Sequence, residues 1–462
     1  MLESAGSLGE TPGTGSLTRP QLDQRASYRR AVEAVIWGMP AVNFDLMLKA
    51  FIHAGGGANQ VPYWSRLLDS QNQTLTPNPD TIYLNPFYDT RSAGPMVLEI
   101  PPAQGGSITG SIDDCWQNAL EDVGPAGADK GAGGRYLILP PDFKGAPPAG
   151  YISVPSDTYQ GFVILRSNVR SGGDADVAEA VAYGKRIRFY PLSQAAAPPP
   201  TAFVDLAGVL FDFTIPYDVR FFQSLARMVD YEPWLTRDKA MIDPLRSIGI
   251  AKGRPFKPDQ EAQALLEAAA QEAQRWLDAH YEDVFDPPFF AGTHWALPAI
   301  KEVLEGLPDL FSDPDAYPLD GRGVTYSMAY FSAKYIGAGQ YYLMAVRDRA
   351  GESFDGSATY RLRVPPNAPA RLYWSFTAYD RQTHALIRNA PRSSRASNSP
   401  GLKSNADGSV DLWFAPRAPD GQEQNWIPTS AGRGFEVLFR IYGPEQRFFS
   451  KAWVLPDLEK VS

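Results

Sequence analysis

Two short stretches bring acids, amides and aromatic rings together: Thr76-Pro77-Asn78-Pro79-Asp80-Thr81-Ile82-Tyr83 and Asp113-Asp114-Cys115-Trp116-Gln117-Asn118. In the first, Pro77 and Pro79 fix their own φ angles and push Thr76 and Asn78 toward extended geometry. A stiff segment that aims Asn78, Asp80, Thr81 and Tyr83 suits the wall of a site. In the second, the period-two alternation of extended chain places Asp114 and Trp116 on one face and Asp113 on the other. Asp80 and Asp114, brought together beneath Tyr83 and Trp116, would form an acid/base pair of the kind glycoside or amide hydrolysis uses. Crowding by aromatic rings would raise one carboxyl pKa and make it an acid. The competing reading is that Asp80 caps the turn after Pro79 while Asp114 faces water. Arg440, between Phe439 and Ile441, needs an acceptor if it is buried. A structural ion pair and a clamp for a substrate carboxylate both answer that need.

Other chemistries lack their signatures. The sequence contains no G-x-S-x-G elbow, phosphate loop, G-x-G-x-x-G or H-E-x-x-H. The four histidines, His53, His280, His294 and His384, lie far apart, which argues against a histidine-rich metal site. His294, beside Trp295, is the histidine best suited to act as a general base. The single cysteine, Cys115, excludes an internal disulfide framework and a cysteine-based zinc site. Asn405-Ala406-Asp407-Gly408-Ser409 superficially resembles the start of an EF-hand loop, but a hairpin turn explains it better. No metal and no cofactor are expected.

The elements that must position these residues follow from periodicity. Residues 21–53 carry apolar positions at helical spacing (Ala31, Val32, Val35, Ile36, Met39), with Pro40 expected to kink or end the helix. Short runs bounded by Pro pairs or Gly, between about 75 and 205, predict strands of an antiparallel sandwich or barrel, with a helix near 176–185. Residues 215–310 read as helical. Asp259 is a plausible N-cap for a long helix with the stripe Ala262, Leu265, Leu266, Ala269, Ala273, Trp276 and Leu277. From Gln340 strands return, the last expected at Phe448–Trp453, and the pattern suits a β-sandwich of jelly-roll type. Asn425-Trp426-Ile427-Pro428 reads as a ligand-stacking patch or as an interdomain latch in which Asn425 bonds backbone. The expected fold is mainly β with helical segments. It comprises a leader over 1–20, an N-terminal helix plus β domain over 21–210, a helical connection over 211–320 and a jelly-roll-like β-sandwich over 321–462.

Composition bounds the partners. The 462 residues carry 43 Lys and Arg against 52 Asp and Glu, a net charge of −9. An acidic chain without a basic run is poorly suited to nucleic acid or to an anionic membrane. No run of apolar residues long enough for a transmembrane helix is evident. The start of the chain, rich in Gly, Ser and Thr, reads as a disordered leader and not as a signal peptide.

Thr76-Pro77-Asn78-Pro79-Asp80-Thr81-Ile82-Tyr83 also resembles the hallmark of the family named domain of unknown function 1254. Ile248-Gly249-Ile250 with Gly253-Arg254-Pro255-Phe256 resembles the end of that unit. Trp374 to Asp380, Asp407-Gly408-Ser409, Asn425 to Pro428 and Arg440 to Pro444 resemble its companion, domain of unknown function 1214. The resemblance implies a β-rich N-terminal domain, a C-terminal jelly roll topologically similar to an amide-cleaving glycan hydrolase, and bacterial relatives that are commonly exported, hence a periplasmic or secreted location. Topology alone transfers no chemistry. Two functions stay open. One is a cofactor-independent hydrolase for a glycan-like or small apolar or aromatic substrate, with Asp80 and Asp114 catalytic and Asn78, Thr81, Tyr83, Trp116 and Arg440 binding. The other is a non-catalytic protein for a glycan or small molecule. A homo-oligomer with aromatic interfaces is a third, weaker reading.

Overall fold

The computed structural model describes residues 17–330, 333–335 and 340–461. The chain is mixed, with 28% helix and 24% strand, and has one β domain near each end. Most of the leader expected over 1–20 lies outside the described residues, and helix begins within it, at Arg19.

The N-terminal β domain packs a seven-stranded sheet against a four-stranded one. At the centre of the larger sheet runs Gln160–Ser167, buried along its whole length. Its alternation sets two environments. Val163 and Leu165 enter the core between the sheets with Ile82, Leu84 and Ile112. Phe162 and Ile164 face the other way, into a second core shared with the helices. The register pairs Ser167 with Ile82 on one neighbour and Gly161 with Asp114 on the other. The pairing is not purely antiparallel: Val61–Tyr63 with Phe203–Asp205, and Gly134–Leu139 with Ile152–Pro155, run parallel.

The C-terminal domain is a β-sandwich of two four-stranded sheets. Phe435–Pro444 pairs with both Gln340–Ala345 and Ala370–Asp380. Phe439 and Ile441, with Trp374 and Phe376, fill the sandwich core. The alternate residues Arg440 and Tyr442 therefore leave by the opposite face, together with Tyr373 and Tyr379. That face is also buried, because the N-terminal domain and the helices cover it. The strand expected at Phe448–Trp453 is a helical turn, Gln446–Phe449. It forms there because Phe448 stacks on Phe289, with centroids 4.9 Å apart, rather than joining a sheet.

Helices fill the space between the domains. The Arg19–His53 helix runs through Pro40 without ending. The carbonyl that Pro40 cannot pair is that of Ile36. There the Leu319–Met328 helix crosses, and a Cβ on Gly323 would lie 2.9 Å from the Ile36 oxygen. Sixteen residues of the long helix are buried, so packing outweighs the local cost of the proline. By length and composition this helix could cross a membrane, contrary to the expectation from apolar runs. However, 83% of its most apolar window is buried inside the protein. The Gln260–Asp283 helix starts where expected, with Asp259 accepting the Ala262 N–H at 2.9 Å. It buries Leu266, Ala269, Ala273 and Leu277.

Candidate functional site

Where the two β domains and the helices meet there is a cavity of about 440 Å³. Tyr83 and Arg166 come from the N-terminal sheet, and Tyr342, Tyr373, Arg440 and Tyr442 from the C-terminal one. Leu297, Leu304, Met328 and Leu438 supply apolar surface. Two lining residues, Leu372 and Tyr335, are 74% and 48% exposed, so the cavity reaches the surface beside them. The size suits a small organic molecule.

The Thr76–Tyr83 stretch forms the seam between the domains. Thr76 donates its N–H to the His384 carbonyl at 2.6 Å and its hydroxyl to the Met328 carbonyl at 3.1 Å. Pro77 does not leave Thr76 extended: its φ is +42°, a strained value for a β-branched residue, and these two bonds across the seam hold it. Tyr379 donates to the Pro77 carbonyl at 2.6 Å. Asn78 donates through Nδ2 to the Tyr442 hydroxyl at 2.5 Å and accepts the Asp80 N–H on Oδ1 at 3.0 Å. Asn78, Tyr83 and Arg440 line the cavity, whereas Asp80 and Thr81 do not. Thr81 donates to the Ser167 carbonyl at 3.3 Å. Asp80 accepts the Ser394 hydroxyl at 2.7 Å on the far side of the seam, in a separate groove. Burial raises the Asp80 carboxyl pKa, although the Ser394 bond and the charge of Arg440 oppose it.

The expected pairing of Asp80 with Asp114 is not formed. Ile82 pairs with Ser167 and Asp114 with Gly161, six residues apart on one strand, which is roughly 20 Å at about 3.3 Å per residue. Asp80 lies beyond Ile82. Asp114 does not face water either: its Oδ1 accepts the N–H groups of Trp116 and Asn118 at 2.8 and 2.9 Å, and Oδ2 accepts Asn118 Nδ2 at 2.8 Å. It shapes a turn in which Gln117 has φ +59°. Burial raises its pKa against the pull of the Asn118 bonds. Trp116 is buried on Trp37, with centroids 4.9 Å apart, and takes no part in the cavity.

Arg440 is 2% exposed. It donates to Thr377 Oγ1 at 2.8 Å, to the carbonyls of Thr76 and Pro77 at 3.2 and 3.1 Å, and to the Tyr379 hydroxyl at 2.5 Å. All these acceptors are neutral. Among the described residues no carboxylate lies within ion-pair distance of it, and its buried Nε has no partner. Tyr342 and Tyr379 carry their rings 5.5 and 5.8 Å from its guanidinium carbon. Arg166, 5% exposed, places its guanidinium carbon 5.4 Å from the Tyr83 ring centroid. Sequence reasoning missed Arg166, although the signal it used for Arg440, an arginine inside an apolar strand, recurs at Phe162-Val163-Ile164-Leu165-Arg166. It also missed Tyr330, Tyr342, Tyr373 and Tyr442. Nothing in the local sequence of Tyr342, Tyr373 and Tyr442 says that their strand faces are covered, and Tyr330 lies just after the Leu319–Met328 helix.

The remaining expectations resolve into structure. His294 lies outside the cavity; its ring and its N–H both bond Asp457, at 2.9 and 2.8 Å. Asn425 bonds backbone, as anticipated, but at Lys403 and Asp411 within its own domain. No group of three or more His, Cys, Asp or Glu able to hold a metal ion occurs among the described residues.

Residues 58–191 match the family model described as Protein of unknown function (DUF1254), and residues 339–446 match Protein of unknown function (DUF1214). The first match stops short of the Ile248–Phe256 region. No curated protein matches the chain. Among solved structures, the VPA0106 protein from Vibrio parahaemolyticus is similar at 18% identity and a TM-score of 0.56, over 94% of this chain and 100% of that one. This likeness concerns the fold. An uncharacterised protein from Burkholderia cenocepacia is similar at 12% identity and a TM-score of 0.42, over 95% of this chain and 96% of that one.

Proposed function

We propose that this chain, which belongs to the paired DUF1254 and DUF1214 families, binds a small organic acid with an apolar or aromatic body in the seam cavity. The observation that carries the reading is Arg440: a buried guanidinium on the cavity wall with only neutral acceptors around it and an unpartnered Nε. A buried guanidinium without a direct ion-pair partner is costly. The nearby Asp80 carboxyl feels its charge but lies outside ion-pair distance, and a ligand carboxylate would supply a direct partner. Leu297, Leu304, Met328 and Leu438 favour an apolar body over a glycan. Hydrolysis by two carboxylates needs them within about 5–10 Å of each other, and the separation of Asp80 from Asp114 along the sheet speaks against it.

The test compares 3-phenylpropionate with its neutral amide by thermal denaturation. The acid raises the melting temperature, by about 2.7 kcal/mol of stabilisation at a hundredfold excess over Kd, and the amide does not. Arg440→Gln loses the discrimination. Equal shifts from acid and amide in the wild type would sink the anion reading, whatever Arg440→Gln does to folding.

A further inference from the structure

The cavity holds a candidate for chemistry as well as for binding. Its described lining contains no histidine and no glutamate. Its one carboxylate, Asp122, is committed to the Ser111 hydroxyl at 2.7 Å and to the N–H groups of Lys334 and Tyr335 at 3.0 and 2.8 Å. The remaining group able to exchange a proton is a phenol, and one phenol is built differently from the others. Tyr83 Oη accepts the Asn78 N–H at 3.1 Å and Arg166 Nε at 3.4 Å. An oxygen that receives two N–H donors, one of them cationic, is prepared to carry negative charge.

Resting on the acid-binding reading above, we propose that Tyr83 is a catalytic residue that moves a proton to and from the carbon beside the carbonyl of an apolar or aromatic oxo acid held by Arg440. The Tyr83 phenolate takes the proton as the C–H bond breaks. The electron pair forms the carbon–carbon double bond, and the carbonyl becomes an enolate. Return of the proton to carbon restores the keto acid, so no oxidant or co-reactant enters. The ionisation of the surrounding groups agrees. Burial by itself would raise the Tyr83 pKa, but Arg166 and Arg440, with the Arg166 and Asn78 bonds, bring it below the ordinary tyrosine value. Burial raises Tyr330, Tyr342, Tyr373, Tyr379 and Tyr442. Tyr83 is therefore the member of the cluster that ionises first.

Phenylpyruvate serves as the probe. Binding is read by thermal shift, and proton transfer by NMR as deuterium uptake at its C3 in D2O. Wild-type protein binds it and accelerates exchange over buffer. Tyr83→Phe still shifts in melting temperature with phenylpyruvate but loses about 100-fold in exchange. Arg166→Gln, which keeps the phenol and removes its cationic donor, moves the exchange profile to higher pH and decides the matter if Tyr83→Phe fails to fold. Wild-type binding with exchange at the buffer rate, undiminished exchange in Tyr83→Phe, or an unmoved profile in Arg166→Gln overturns the role of Tyr83. Absence of wild-type binding overturns the acid-binding reading itself, and the proton-transfer role with it.

Discussion

The Thr76–Tyr83 seam and the Asp113–Asn118 turn are built from the same kinds of residue, acids and amides beside an aromatic ring, yet they do opposite things. In the turn, Asp114 spends both carboxylate oxygens on its own neighbours Trp116 and Asn118. Gln117 also donates through Nε2 to the Pro40 carbonyl at 3.1 Å, Tyr326 donates to the Gln117 carbonyl at 2.8 Å and Arg322 to the Trp116 carbonyl. The turn is thus tied to the helices while its acid is used up within the loop. In the seam, the polar groups bond outward, to His384, Met328, Ser394 and Tyr442 of later elements. The cavity is what those long-range bonds leave between the domains. The difference lies in where the acid and amide groups are spent: Asp114 is consumed inside its own loop, whereas Thr76, Asn78 and Asp80 bond across the domain interface, beside which a cavity remains.

The contrast can be broken by mutation. The largest effect is expected at the turn: Asp114→Ala orphans three buried donors at about 1–3 kcal/mol each, so stability should fall by several kcal/mol, whereas 3-phenylpropionate should still stabilise what remains folded. Chemical denaturation with and without the acid measures both. Loss of ligand stabilisation with intact stability would reverse the assignment of the two regions.

The second effect lies at the same end of the central strand. Glu232, 4% exposed, accepts the N–H groups of Tyr159 and Gln160 at 2.7 and 3.0 Å. Burial raises its pKa to about 7, against those two bonds and with help from Asp89. The folded protein thus holds this proton more tightly than the unfolded chain. The associated stability is full below about pH 4.5 and is lost as pH rises through about 7, on the order of 3 kcal/mol in all. Glu232→Gln should flatten that part of the melting-temperature profile between pH 5 and 8. A profile as steep as that of the wild type would refute the assignment.

The smallest effect is expected at Asp80, in the seam but outside the cavity. Asp80→Asn keeps an oxygen for the Ser394 hydroxyl and removes a buried charge, so stability should change by less than about 1 kcal/mol and phenylpyruvate exchange should not change. Abolished exchange with unchanged stability would restore Asp80 as an acid.

Much of the architecture was legible locally. The Asp259 cap and the buried stripe of the Gln260–Asp283 helix follow from side-chain period and capping chemistry. Those signals are carried within one element. Phe448 misled because an aromatic run was read by propensity, while its conformation is decided by Phe289 stacking on Phe448. At Pro40 the helix does not end, and the Leu319–Met328 helix crosses at Ile36 through Gly323.

The sequence by itself determined that this chain has two β domains with helices between them. It also marked two polar, aromatic-rich stretches, and Arg440 as a charge in need of an acceptor if buried. Tertiary structure alone decided which stretch is a site, because facing requires a partner surface. Arg440 and Arg166 sit on strands more than 250 residues apart in sequence, and only the docking of one sheet face against the other turns two arginines and a ring of tyrosines into one cavity.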